Sequence, residues 1–393
     1  MTFSFRHFLR QTPSDASKAF FDSRGAQFGD AVDWRAAEHV IARQIAEAMD
    51  RMSGEQVAPL ISGLERAHAL SDEHGIRALV NAADDPEAML AAFDDAENDQ
   101  ERTLRVLVGS PKVFERAEDI RYFDYRVEGS YGRRFRAQHD ATVSREPADL
   151  EQFQCAVGAY FRGVDGSGRS CVAEVIDRNA DGTVQVTVFV EGLASNAVGF
   201  DQRGLYRRPQ RPAIQAAVVY CGRTGTIETV AKGGKPVHEE LRKLFAQQLL
   251  CIDPRFDLIQ PRRFRLERLA SRPTLPTNPE DGIERARVRR LKLLPTSNRP
   301  GAIVIEAPSD RPDVSAQGLS AHWFQNWDPV QRGFHIVHAT ISIHFRAIHG
   351  RKPRTIHLEL SSVGSSNLRR FKQDDRILIE KYLVEWRLVD SAE

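Results

Sequence analysis

Apolar residues recur at three- and four-residue spacings through about the first 120 positions of the chain. Between Trp34 and Met52, the residues Ala37, Val40, Ile41, Ile45 and Met49 share one stripe among charged neighbours, which predicts an amphipathic helix. Val57, Leu60, Ile61 and Leu64 form a second stripe, Ile76, Leu79 and Val80 a third, and Met89, Leu90 and Phe93 a shorter fourth. Asp84-Asp85-Pro86 predicts a helix start, because an aspartate cap followed by proline at the first helical position leaves no intrahelical donor wasted. Ser110-Pro111 predicts another, running through Val113, Phe114 and Ala117. The stripes are too uneven in length for a repeat array.

From about Leu150 the period becomes two. Val184, Val186, Val188 and Val190 alternate with Gln185, Thr187 and Phe189, and Asn179 to Gly182 supply a turn back to a strand at Cys171 to Asp177. A second hairpin joins Ala213–Cys221 to Thr226–Val230 through Gly222-Arg223-Thr224-Gly225. After Gly233-Gly234, a helical stripe at Val237, Leu241, Leu244, Phe245 and Leu249 is placed to cover that sheet. Pro254 to Gly282 holds five prolines and reads as an extended connector, since proline cannot donate to a ladder. Beyond it come strands at Arg285–Leu294 and Ala302–Glu306, a helix near Ala316–Asn326, and a hairpin from His335 to Leu360. A final helix from Gln373 to Leu388 puts Ile377, Leu378, Tyr382, Leu383 and Trp386 on one broad face. The expectation is an α+β multidomain protein, in which an N-terminal all-α helical domain precedes two α+β domains built on antiparallel sheets. The expected limits are 1–149 for the helical domain, 150–254 for the first α+β domain, 255–282 for the connector and 283–393 for the last domain.

Composition narrows the class. The chain has 393 residues, 28% of them charged, with no apolar run near the roughly 20 residues a membrane helix needs. Its start, MTFSFRHFLRQ, lacks the apolar core and small-residue cleavage site of a secretory signal, so a cytoplasmic location and no membrane partner are expected. Cys155, Cys171, Cys221 and Cys251 form no CxxC pair and announce neither a disulfide framework nor structural zinc. The formal charge of +1 is a cancellation. Residues 1–100 carry 9 basic and 18 acidic side chains, whereas residues 201–300 carry 21 basic and 10 acidic ones. Such separation points the basic part towards an acidic or nucleic-acid partner and leaves the acidic helical part to hold a partner protein or a second copy.

Three clusters carry candidate chemistry. Tyr206-Arg207-Arg208-Pro209-Gln210-Arg211, Arg262-Arg263-Phe264-Arg265 and the strand bearing Arg285, Arg287 and Arg289 make an electrostatic footprint for DNA or RNA. Alternate arginines on a strand stand about 6.5–7 Å apart, near the spacing of successive phosphates, and Tyr206 and Phe264 could stack on bases. The same residues also suit a solvated surface neutralised by the acidic region. On the C-terminal hairpin, a turn centred on Gly350-Arg351 would set His344 across from His357 and Ser342 across from Glu359, a His-His-Glu set able to hold a divalent metal. The alternative is the polar face of a half-buried sheet. Lys232-Gly233-Gly234-Lys235, entering a helix, could bind an anion or simply make a turn. Nucleophile elbows, dinucleotide loops and EF-hand loops are absent from the sequence, and no cofactor is expected. The leading expectation is a non-enzymatic nucleic-acid-binding accessory or regulatory protein. The alternatives are a metal-dependent hydrolase or nuclease using the histidine set, and a protein-interaction scaffold.

Overall fold

The computed structural model describes residues 3–128, 132–201, 204–259, 262–271, 275–297, 300–311, 313–323, 333–347 and 353–389. The architecture is α+β and multidomain, with helices concentrated at the N-terminus and three antiparallel sheets after them. The chain divides into two compact units, Met1–Ile259 and Gln260–Glu393.

The first unit opens with eight helices: α1 (Phe5–Gln11), α2 (Ser14–Ser23), α3 (Glu38–Met49), α4 (Gly54–Leu70), α5 (Glu73–Ala82), α6 (Pro86–Asp94), α7 (Asp99–Gly109) and α8 (Pro111–Glu128). Local side chains set their starts. Ser53 and Gln56 exchange bonds in a capping box before α4, and Asp72, Asp85 and Asn98 each accept from amides in the first turns of α5, α6 and α7. Their apolar stripes meet in one core built on Phe20, Phe21, Ile45, Leu64, Leu79, Leu104 and Phe114.

A six-stranded sheet completes this unit. Its strands are β1 (Gly132–Arg136), β2 (Cys171–Arg178), β3 (Thr183–Glu191), β6 (Ala213–Cys221), β7 (Thr226–Val230) and β8 (Asp257–Leu258), in the order β2-β3-β6-β7-β1-β8, and every pairing is antiparallel. β4 (Ser195–Asp201) and β5 (Gly204–Gln210), inserted between β3 and β6, pair only with each other. Both hairpins expected from alternation are present. The residues after Leu150 are not extended, however: Pro147–Asp165 is a helix, α9, because Phe153, Val157 and Phe161 recur every four residues and Gly166 ends it at φ 82°. Together with α10 (Lys235–Gln248), it covers the face carrying Val186, Val188, Ala216 and Val218. Phe123 of α8 packs on Ala217 and Val230 of the opposite face. The sheet also begins at Gly132, ahead of the boundary expected at 149.

The β2–β3 turn fastens this sheet to the helices. Asn179 donates through its backbone to Asn81 O (3.1 Å) and through its side chain to Ala83 O (2.6 Å), while Asp181 N donates to Asn81 Oδ1 (2.9 Å). Arg178, buried under Phe123, makes a two-pronged bond to Asp124 (3.0 and 3.1 Å) and a third to Asp181 (2.9 Å). A buried guanidinium with two carboxylates fixes one geometry of α8 on the hairpin.

In the second unit, a short helix α11 (Arg268–Ser271) precedes β9 (Ile283–Pro295), β10 (Ile303–Glu306), α12 (Ala316–Trp323), β11 (Phe334–Phe345), β12 (Arg354–Ser361) and α13 (Gln373–Glu385). The sheet order is β10-β9-β11-β12. The segment expected as an extended connector contributes to this core, since Phe264, Leu266, Leu269 and Leu275 are all buried in it. Tyr382 of α13 and Trp386, the residue just past its end, hold the proline-rich stretch in place. The Trp386 indole donates to Pro276 O (2.8 Å), and the Tyr382 hydroxyl accepts from Asn278 N (2.8 Å) and donates to Asp281 (2.7 Å). On α13, Ile379 replaces Ile377 on the core face. Ile379, Tyr382, Leu383 and Trp386 follow the helical repeat inward, and Ile377 is 60% exposed.

Candidate nucleic-acid interface

The β4–β5 ribbon carries the first basic cluster. Seven residues on each strand pair in register from Ser195↔Gln210 to Asp201↔Gly204, and neither strand joins the six-stranded sheet. Directly opposed residues share a face, so Gly199, Tyr206, Ala197 and Arg208 lie on one side, and Val198, Phe200, Leu205 and Arg207 on the other. On the first side Tyr206 lies flat across Gly199, where a Cβ would come within 2.6 Å of the tyrosine oxygen. Arg208 then stacks over the Tyr206 ring at 4.3 Å. This cross-strand layer gives a two-stranded ribbon the packing that it lacks from a third strand. Arg207 and Arg208 are exposed and form no ion pair among the described residues. Arg211, just past the ribbon, is bonded to Glu191 at 2.8 Å.

The other two clusters are largely committed within the second unit. Phe264 is 6% exposed and part of the core, so it offers no ring to a base, which corrects the expectation from sequence. Its flanking arginines suggest a surface position, but a single inward residue in a polar segment is how a loop anchors. Arg262 is bonded to Glu380 at 2.5 Å, and Arg265 is exposed with its backbone amide donating to Leu388 O (2.8 Å). Arg263 is exposed.

Arg287 is also corrected. It is 7% exposed, and its guanidinium donates to three main-chain carbonyls, those of Pro308 (3.1 Å), Arg311 (2.6 Å) and Val314. A guanidinium spent on a loop cannot grip a phosphate. Burial and the neighbouring Arg285 and Arg289 hold its pKa below the ordinary arginine value. The row of alternate arginines is interrupted as well. A bulge lies between the pairs Thr340↔Arg290 and Ile341↔Val288, which puts Arg289 out of the ladder and lets Leu291 and Leu293 enter the core. Arg289 reaches His357 Nε2 (3.4 Å) and Glu306 (3.5 Å). Arg285 stands beside His344.

The histidine set does not assemble as expected. β11 and β12 pair with Ser342 across from His357, His344 across from Thr355, and Thr340 across from Glu359, a register two residues away from the one a turn at Gly350-Arg351 gives. A two-residue slip leaves every apolar residue on its face, with Ile343 across from Ile356 and Ile341 across from Leu358, so alternation alone does not distinguish the two registers. His357 Nδ1 pairs with Ser342 Oγ (3.0 Å) and His344 Nδ1 with Thr355 Oγ1 (2.9 Å). Burial lowers the pKa of both rings, and the arginines of β9 lower it further. The positive charges of Arg285, Arg287 and Arg289 beside these rings would repel a metal dication. Among the described residues no group of three or more His, Cys, Asp and Glu side chains is placed to hold a metal ion.

The glycine pair after Lys232 serves the turn. Gly233 and Gly234 have φ of 109° and 76°, and Lys235 pairs with Glu239 on its own helix at 3.5 Å. Lys232 is exposed. Gly350 and Arg351, the centre of the expected turn, lie outside the described residues.

No protein-family model and no curated protein matches the chain. Among the described residues, no helix is long and apolar enough to cross a membrane. The side chains that sequence reasoning missed are Val198, Phe200 and Leu205. Their signal was present as alternation, Val198-Gly-Phe200 and Leu205-Tyr-Arg207, on either side of Asp201 to Gly204.

Proposed function

We propose that the protein is a nucleic-acid-binding accessory or regulatory factor whose contact surface is the β4–β5 ribbon. The observation that carries this reading is the contrast among its arginines. Arg287, Arg262, Arg289 and Arg211 are engaged by carbonyls or carboxylates, whereas Arg207 and Arg208 are exposed on a free-standing ribbon. Tyr206 holds Arg208 in position, which lowers the entropy lost when the guanidinium meets a phosphate.

The test is a binding titration with labelled duplex and single-stranded DNA and RNA, comparing the intact protein with the double variant R207A/R208A. The wild type should bind at low salt, and the variant should lose at least about tenfold at 50 mM salt with an unchanged melting temperature. Equal binding by the two proteins would sink the assignment to the ribbon.

A further inference from the structure

Phosphate contact leaves one surface of the ribbon unexplained. Val198, Phe200 and Leu205 form a stripe on its outer face, exposed by 55%, 83% and 56% respectively. Phe200 and Leu205 are directly opposed, one pair from the end of the described ladder, so the stripe is widest near the tip. Apolar side chains this open, clustered on a projecting element, mark a surface that is covered in the working state. Tyr206 takes no part in it, because that ring is used on the opposite side to brace Gly199.

We propose that this stripe enters the minor groove of double-stranded nucleic acid, and that Phe200, backed by Leu205, presses between adjacent base pairs and bends the duplex. The inference rests on the nucleic-acid reading above and adds to it the duplex form and the mode of contact. Charge selects this occupant over an apolar protein surface. Arg207 and Arg208 stand exposed on the ribbon, against Asp201 as the one acidic residue between Ser195 and Arg211. Geometry agrees with the charge. Seven residues per strand extend roughly 23 Å, about seven base pairs of rise. Arg207 follows Leu205 by two residues on the same face, so it stands about 6.5–7 Å behind the wedge, near the distance from one phosphate to the next. Two paired strands are wider than an undeformed minor groove of about 6 Å, so entry requires the groove to open, and wedging a ring into a base step is one way of opening it.

The experiment uses the full chain with an A/T-rich duplex of about 20 base pairs that carries a fluorescent base analogue at its centre and a donor–acceptor pair at its ends. The analogue brightens when it unstacks, and the end-to-end transfer rises when the duplex bends. Wild-type protein should produce both signals. Phe200→Ala, at a site too exposed to affect folding, should lose both and bind the duplex about tenfold more weakly, while retaining the salt dependence set by the arginines. Duplex binding without unstacking or bending overturns the wedge and leaves the nucleic-acid reading standing. Tighter binding to single strands than to the duplex does the same. If Phe200→Ala instead converts a dimer of the free protein to a monomer, the stripe is a self-association surface and the wedge is overturned. Absence of binding to every nucleic acid at low salt removes both readings together.

Discussion

A guanidinium that satisfies three main-chain carbonyls does so by giving up the same donors that a phosphate would need. Arg287 is in this position, and its cost of removal is correspondingly structural. Arg287→Ala leaves the carbonyls of Pro308, Arg311 and Val314 without their donor in a buried place, and should lower stability by about 3 kcal/mol in urea unfolding of the second unit. Arg207→Ala, in the first unit, removes an exposed side chain with no ion pair among the described residues and should change the urea unfolding of that unit by less than about 0.5 kcal/mol. Equal losses would show that exposure does not separate the two roles. The spacing of these arginines is legible along the chain, but their depth is not. Parity along β9 assigns a side chain to a face, and the bulge at Arg289 then changes that parity within the strand. Phe264 failed for a related reason, since the identity of its neighbours says nothing about which way a loop residue turns.

At the level of elements, most boundaries were legible because caps and periods are local. Asp85-Pro86 opens α6, and Val184 to Val190 lie in β3. Pairing was less legible. The two registers of β11 on β12 bury the same residues, and the choice between them rests on the turn rather than on the strands. A further feature of elements, hidden from sequence, is the polar layer between α8 and the sheet. Gln215 Nε2 donates to Asp119 Oδ1 (2.7 Å), and Gln185 Nε2 donates to Asp119 O (3.1 Å). Burial and the nearby Glu174, Glu118 and Glu115 raise the Asp119 pKa from 3.8 to about 7, against the lowering effect of the Gln215 bond. Between roughly pH 4 and pH 7 the folded protein therefore keeps a proton that the unfolded chain releases, and stability falls as pH rises through that window. Above pH 7 the loss is complete. Asp119→Asn cannot ionise and should abolish this slope, gaining about 2 kcal/mol over the wild type at pH 8 once screening at its open side is allowed for. Urea midpoints of the two proteins at pH 5 and pH 8 measure it, and parallel pH profiles would refute the shift.

Over the whole molecule, the balance of 55 basic against 54 acidic residues conceals an excess of nine negative charges in residues 1–100 and eleven positive ones in residues 201–300. The basic stretch is divided between the two units at Ile259–Gln260, and several of its arginines are held by partners in their own unit. Long-range attraction for a polyanion is weak at a net charge of +1, so the binding reading depends on local contacts rather than on the overall field. That dependence has a measurable form. Each phosphate neutralised on a duplex contributes about −0.9 to the slope of log K against log salt. Contact through Arg207 and Arg208 alone therefore gives a slope of about −2, and the R207A/R208A variant should bring it close to zero. Engagement of Arg263, Arg265, Arg285 and their neighbours as well would make the wild-type slope steeper than about −5 and leave most of it in the variant. The shallow slope, abolished by two substitutions on one ribbon, is the expected result, because Arg207 and Arg208 are exposed on a ribbon whose strands pair only with each other.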